Sequence, residues 1–436
     1  VVAVNEDKIR DLSELIIKAG NKCADEVEIF LAGGSGVEAQ LKGDLIGEAG
    51  GSESFGIGIR LIKDGKIGSS TTGNPDRWQE CLAAAEASAK LATGQKWEGL
   101  PSSVPLSDID LDIFDSSLKP DISVASSFIE EMKEGASEFD VNIAGGGSSL
   151  GTGYSVIVNS EGVFYAREKS RVSVSLEAIS GTSTGYEFDS ACFTDRIDAK
   201  ETGKQAAFLA AHSVNAEEIE SGQYDIIFSP IAFSQLLGSV LLPSFSGRNV
   251  HSNRSFLAGK LGEQVFDECL CIYDDPMDGQ GSTLLDAEGV PTRRIDFVEE
   301  GVLKSFAYDL KTAYRYGEVS TGSAKRGGAG GLPSIGMHNL HVDGERSNIF
   351  DEKALYVHDV VGAHTANTIT GDFSLELSNT SWMESGEYGD AVRSAMVSGN
   401  FFEMMKDIAG LSESSREVGS SKLPSVRFNS IRIIGK

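Results

Sequence analysis

The sequence predicts an α+β fold, with a helix/strand N-terminal region followed by a β-rich C-terminal domain. Three observations carry that expectation. Apolar residues at Ile9, Leu12, Leu15, Ile16 and Ala19 recur at helical spacing near the start of the chain. Hairpin tips of one type recur at Lys63-Asp64-Gly65, Ser160-Glu161-Gly162 and Glu299-Glu300-Gly301. Tight two-stranded turns need positive φ, which glycine supplies without steric cost. Beyond about residue 222 the chain reads mostly as strand.

The first helix is expected over residues 7–22, stopped by Gly20 and Asn21. EVEIFLAG, GVEAQLKGD and GIGIRLIKDGKIGSSTTG then read as strands, the last folded into a hairpin at Asp64-Gly65. An alanine-rich helix over residues 77–92 completes an N-terminal module placed at 1–95. Residues 93–120 form a connector that holds three of the ten prolines. A central module at 96–222 follows. It has a helix at 122–136, strands in VIVNS, GVFYAREKS and RVSVSLEAIS, and a helix at 199–211. The run GGGSSLGTG at 145–153 reads as a turn or mobile loop. The β-rich domain is placed at 223–436. It includes a buried helix starting near Pro230, a helix over 397–409 and a final strand in SVRFNSIRIIG.

Composition narrows the function classes. The 436 residues are 40% hydrophobic and 24% charged, ordinary values for a globular protein. A net charge of -27 is far from ordinary. Such an acidic surface repels phosphate backbones, so nucleic acid is not an expected partner. The longest apolar stretch, IIFSPIAFSQLLGSVLLP, contains a proline, a glutamine and serines, and no membrane association is expected. The opening VVAVNEDKIRDLSELI has no basic start leading into an apolar run, so no signal peptide is expected. Cys23, Cys81, Cys192, Cys269 and Cys271 show no disulfide framework, which fits a reducing cytoplasm. Cys269 and Cys271 are expected on one strand face as small buried residues.

Candidate sites of general type are weak. His338 and His341 are three apart, which on a strand points them to opposite faces. His358 and His364 flank DVVGA without a metal-ligand pattern. The acidic run around Asp274, Asp275, Asp278 and Asp286 lacks the terminal glutamate of an EF-hand loop, and residues 286–289 read as an Asp/Gly turn. GGGSSLGTG lacks the GK[ST] ending of a P-loop, and no G-x-S-x-G elbow occurs. The glycine-rich run 320–334 reads first as a mobile surface loop. Its functional alternative is a lid or channel wall over a bound peptide, contacted by Ser320, Thr321, Gly322, Lys325 and Arg326.

A longer pattern does single out a family. YDIIFSPIAFSQLLG, RSFLAGKLGEQV, DDP, DAEGVPTR, EEGVLKSFAYDLKTA, STGSAKR, VGAHTANTITGDFS, WMESGE and VSGNFFEMM follow one another in order, after an N-terminal GIGIRLIKDGKIGSSTTG. This order over some 400 residues resembles the TldD/PmbA metalloprotease family. The resemblance implies a choice between two branches. The TldD branch carries HExxxH on a helix, with two zinc-binding histidines, a glutamate base and a late cysteine. Here the matching positions read GSVLLP, so Gly238, Ser239 and Pro243 stand where the motif is lost, and Ser415 falls near the place of the cysteine.

The chain therefore resembles the PmbA branch, also called TldE. That likeness implies a non-catalytic subunit that helps enclose the peptide cavity of a zinc-bearing TldD-like partner, in proteolysis and peptide maturation. No cofactor is expected on this chain itself. The alternatives are a homodimeric peptide-binding protein without proteolytic activity, and a hydrolase with an unrecognised site. The family's older label, modulator of DNA gyrase, implies an indirect route, given the charge.

Overall fold

The computed structural model describes residues 6–94 and 96–436. Helix α1 (Glu6–Gly20) stops at its expected glycine. Strand β1 (Glu26–Lys42) then runs unbroken for 17 residues, where two strands were expected. Next come β2 (Leu45–Lys63) and β3 (Lys66–Thr72), joined by the expected hairpin. Its tip residues Asp64 and Gly65 have φ of 52° and 71°, the paired left-handed conformation of a type I′ turn. Helix α2 spans Trp78–Leu91, and α3 spans Ile122–Ala136 with Asp121 capping it by accepting from the Ser123 N–H. Strands β4 (Asn142–Asn159), β5 (Phe164–Ser180) and β6 (Ser183–Ala191) lead to α4 (Ala199–His212).

These six strands form one antiparallel sheet in the order β3-β2-β1-β4-β5-β6. The glycine run at 145–153 is not a loop. It is the middle of β4, paired with β1 on one side and β5 on the other. The glycines are needed because the strands approach closely. A Cβ on Gly147 would lie 2.6 Å from the Ala39 carbonyl oxygen, and one on Gly146 only 2.3 Å from that of Ser175.

Strand alternation sorts the sheet into two faces. Ile29, Leu31, Ile59, Leu61 and Val156 pack under α1 and α2, while Leu150, Val174 and Leu176 pack under α3 and α4. The other face carries Glu28, Phe30, Arg60, Ile157, Tyr165, Arg167 and Lys169, and it meets the C-terminal domain.

That domain is strand-rich, as expected. Its mixed 13-stranded sheet has strand Gly222–Phe228 between Ala354–Val361, which runs parallel to it, and Ser421–Ile434, which runs antiparallel. Phe228, Phe233, Phe245, Phe297 and Phe428 fill the core beside it. The helix expected over 397–409 is shorter. Strand Met396–Asn400 occupies its first part, and Asn400 caps a one-turn helix, Phe401–Met404, by accepting from the Phe402 and Glu403 N–H groups. Cys269, just before strand Leu270–Asp274, and Cys271 within it are half-buried rather than buried, because they alternate with Leu270 and Ile272, which turn into the core.

Candidate functional site

Gly238, Ser239 and Pro243, which the family resemblance sets against the zinc motif, lie on a single helical segment. Helix α5 (Pro230–Leu236) begins with Ser229 as its cap, whose hydroxyl accepts from the Ile231 and Ala232 N–H groups. The segment widens into a π turn at Leu237–Leu241 before Leu242–Ser244. Pro243 has no N–H to donate to the Ser239 carbonyl, so the ordinary i→i−4 ladder is broken there. Gly238 and Pro243 line a cleft of about 480 Å³, together with Arg248, Asp309, Lys311 and Arg315. Ser239 is half-buried outside that lining, and Ser415 is exposed on strand Gly410–Val418, also outside it.

This cleft does not fit zinc. Gly238 offers no side chain, and the space its Cβ would enter is open. The lone carboxylate of the lining, Asp309, caps helix Leu310–Tyr316 by accepting from the Thr312 N–H at 2.8 Å. Three cationic side chains face the same space, and they repel a divalent cation. Among the described residues, no group of three or more His, Cys, Asp or Glu is placed to hold a metal ion. His338 bonds the Gly322 carbonyl, His341 bonds that of Asp278, and His358 faces Glu187, so these three have separate surroundings.

The run 320–334 is only partly a surface loop. Ser320, Thr321 and Ser323 are buried, and Ala324–Lys325 pairs with Ser334–Ile335. Gly322 is buried too and has a φ of 73°, with Pro291 packed where a side chain would go. Arg326 reaches back to the first sheet and pairs with Glu28. Glu28 also holds Arg60, its cross-strand partner, through two bonds of 2.8 and 2.5 Å. Arg60 then bonds Glu288 at 3.1 Å. All four side chains are at most 6% exposed. Burial pushes the Glu28 carboxyl up, but Arg326 and Arg60 outweigh it and hold the group below the usual carboxylate range. Two cations and two anions thus bolt the helix-free face of the sheet to the C-terminal domain.

Beside this network lies a cavity of about 380 Å³ between the two halves of the molecule. Its basic wall comes from β5, where Arg167, Lys169 and Arg171 alternate onto one face. Lys325, Arg326 and His338 contribute from the C-terminal domain, and Asp286 is the one acidic residue of the lining. Asp286 sits in the expected turn and accepts from the N–H groups of Glu288, Val290 and Ala324. Burial, reinforced by Glu288, still pushes it above the usual carboxylate range. Burial also pushes His338 down to about 4, with Lys325 and Arg167 acting in the same direction. The sequence reading missed this cavity. Its available signal was the alternation R-x-K-x-R in YAREKSRV.

Comparison with known proteins matches this architecture. Models of the PmbA/TldA metallopeptidase family fit three stretches: domain 1 over residues 27–90, the central domain over 115–214, and the C-terminal domain over 221–435. The chain belongs to the TldD/PmbA family. It is 32% identical over 424 residues to an uncharacterised protein of Methanocaldococcus jannaschii, covering 95% of this chain and 98% of that one. It is 27% identical to a metalloprotease of Methanothermobacter thermautotrophicus, over 86% of this chain and 85% of that one. Among solved structures it is similar to TldE from Thermococcus kodakarensis. That match has a TM-score of 0.89 and 26% identity, and it covers 97% of this chain and all 100% of the other.

Proposed function

We propose that this chain is a non-catalytic subunit of a peptide-degrading or peptide-maturing complex, acting with a zinc-bearing, TldD-like partner. One observation carries the reading. The cleft at Gly238 and Pro243, where the family resemblance sets the zinc motif, holds no histidine and is lined by cations. The subunit's own part is to complete the wall of the peptide cavity, and the run containing Ser320, Thr321, Gly322, Lys325 and Arg326 contributes to that wall. Similarity to a protein called TldE supports an assembly of unlike chains. The reading places the complex in the reducing cytoplasm, and five free thiols are consistent with that compartment.

The test is a peptidase assay on flexible peptides, with and without chelator. The chain alone should be inactive. Adding a TldD-like chain that carries HExxxH should give chelator-sensitive cleavage, and the two should co-purify. Chelator-sensitive cleavage by the lone chain would overturn the reading.

A further inference from the structure

We propose that the basic cavity between the two halves binds the C-terminal carboxylate of a peptide ending in an apolar residue, with Lys169 as its anchor. Three features of the cavity support this. First, its positive charge outnumbers its negative: Asp286 is the one carboxylate of the lining, and Asp274 acts on Lys325 from behind it. Arg326 is neutralised by Glu28, but Arg167 bonds only the Ser282 carbonyl and Lys325 only that of Met337. Lys169 and Arg171 make no hydrogen bond or ion pair with any described residue. A desolvated ammonium without a counter-charge is costly, and an incoming carboxylate supplies one. Burial and the like charges of Arg167, Arg171 and Lys325 already hold Lys169 below the usual lysine range. Such an excess of cations stands out in a chain of net charge -27.

Second, the cavity is not basic throughout. Phe30 and Ile157, on the same sheet face as Arg167 and Lys169, pack with Leu285 into an apolar patch beside the basic row. An apolar side chain next to a carboxylate matches both surfaces, whereas a free inorganic anion would use only one. Third, the volume of about 380 Å³ falls in the range of small-ligand sites, about 300–1,000 Å³, and is ample for a chain end. Arg171 is exposed, so the cationic row runs from the interior out to solvent.

This inference rests on the reading of the chain as a peptide-handling subunit and names what that subunit holds. The experiment uses the full chain at low ionic strength. A flexible hexapeptide ending in leucine, dye-labelled at its N-terminus, is compared with its C-terminal amide by fluorescence anisotropy. The free acid should bind at least about tenfold tighter, because a charge-assisted contact is lost in the amide. Lys169→Met should erase that preference while leaving amide binding unchanged, and Lys169→Arg should restore it. Arg171→Gln, at an exposed position, should reduce it without altering the melting temperature.

Equal binding of acid and amide, a preference that survives Lys169→Met, or no peptide binding at all would overturn the proposal. So would displacement by inorganic phosphate together with equal binding of acid and amide, which would mark a phosphate site. A clear acid preference with no zinc-bearing partner would sink the subunit reading alone. A working protease complex with equal acid and amide binding would sink this inference alone.

Discussion

Glu28 shows how single residues hold this molecule together. Its carboxylate lies between the guanidinium groups of Arg60 and Arg326, at 0% exposure. Glu28→Gln leaves two buried cations with Glu288 as their only anion. Breaking a buried pair from one side costs about 3–5 kcal/mol, and chemical denaturation should show a loss of that size. A loss under about 1 kcal/mol would mean that water reaches the network and screens it. His338 gives a pH-dependent counterpart. Its folded value of about 4 lies below the ordinary value of about 6.5, so between these pH values the unfolded chain holds more protons. The stability it contributes is therefore complete above pH about 6.5 and is lost as pH falls towards 4. Proton NMR should show its ring neutral down to pH about 5, with Nε2–H donating to the Gly322 carbonyl. A midpoint near 6.5 would contradict its burial between Lys325 and Arg167.

At the scale of elements, the close approach of backbone to backbone decides what glycine does. Gly58 on β2 lies under the loop that follows Arg326, and a Cβ there would stand 2.5 Å from the Ala329 carbonyl oxygen. Gly58→Ala should lift that loop, cost about 1–3 kcal/mol as overpacking does, and speed proteolytic cutting near residues 327–331. Unchanged stability and cutting would show that the loop yields freely. The same contrast explains what was legible in the sequence. The Asp64-Gly65 hairpin was readable because its cause is local, two residues at positive φ. The run 145–153 was misread because its glycines answer to β1 and β5, neither of which is adjacent in the run itself. Arg326 looked like a loop residue because its partner, Glu28, is 298 positions away. Gly238, Ser239 and Pro243 were singled out by family pattern alone. That Gly238 and Pro243 share a cleft with Arg248, Lys311 and Arg315 needed the fold, since Arg248 comes from helix Gly247–His251 and the other two from helix Leu310–Tyr316.

Taken as a whole, the molecule has two parts with different roles. The first six strands present one face to four helices and the other to the C-terminal domain. The second part carries the helical segment with Gly238 and Pro243, the run 320–334 and the Lys325, Arg326 and His338 side of the basic cavity. An acidic exterior with a basic internal cavity favours small anionic ligands over nucleic acid. The central claim is that the chemistry of cleavage belongs to another chain. The most direct measurement is the zinc content of this chain, purified without chelator or metal-affinity tag, by elemental analysis. Zinc far below one per chain, rising towards one per pair when an HExxxH-bearing relative is bound, is the predicted result. Near-stoichiometric zinc in the lone chain would contradict the account and direct mutagenesis to its histidines.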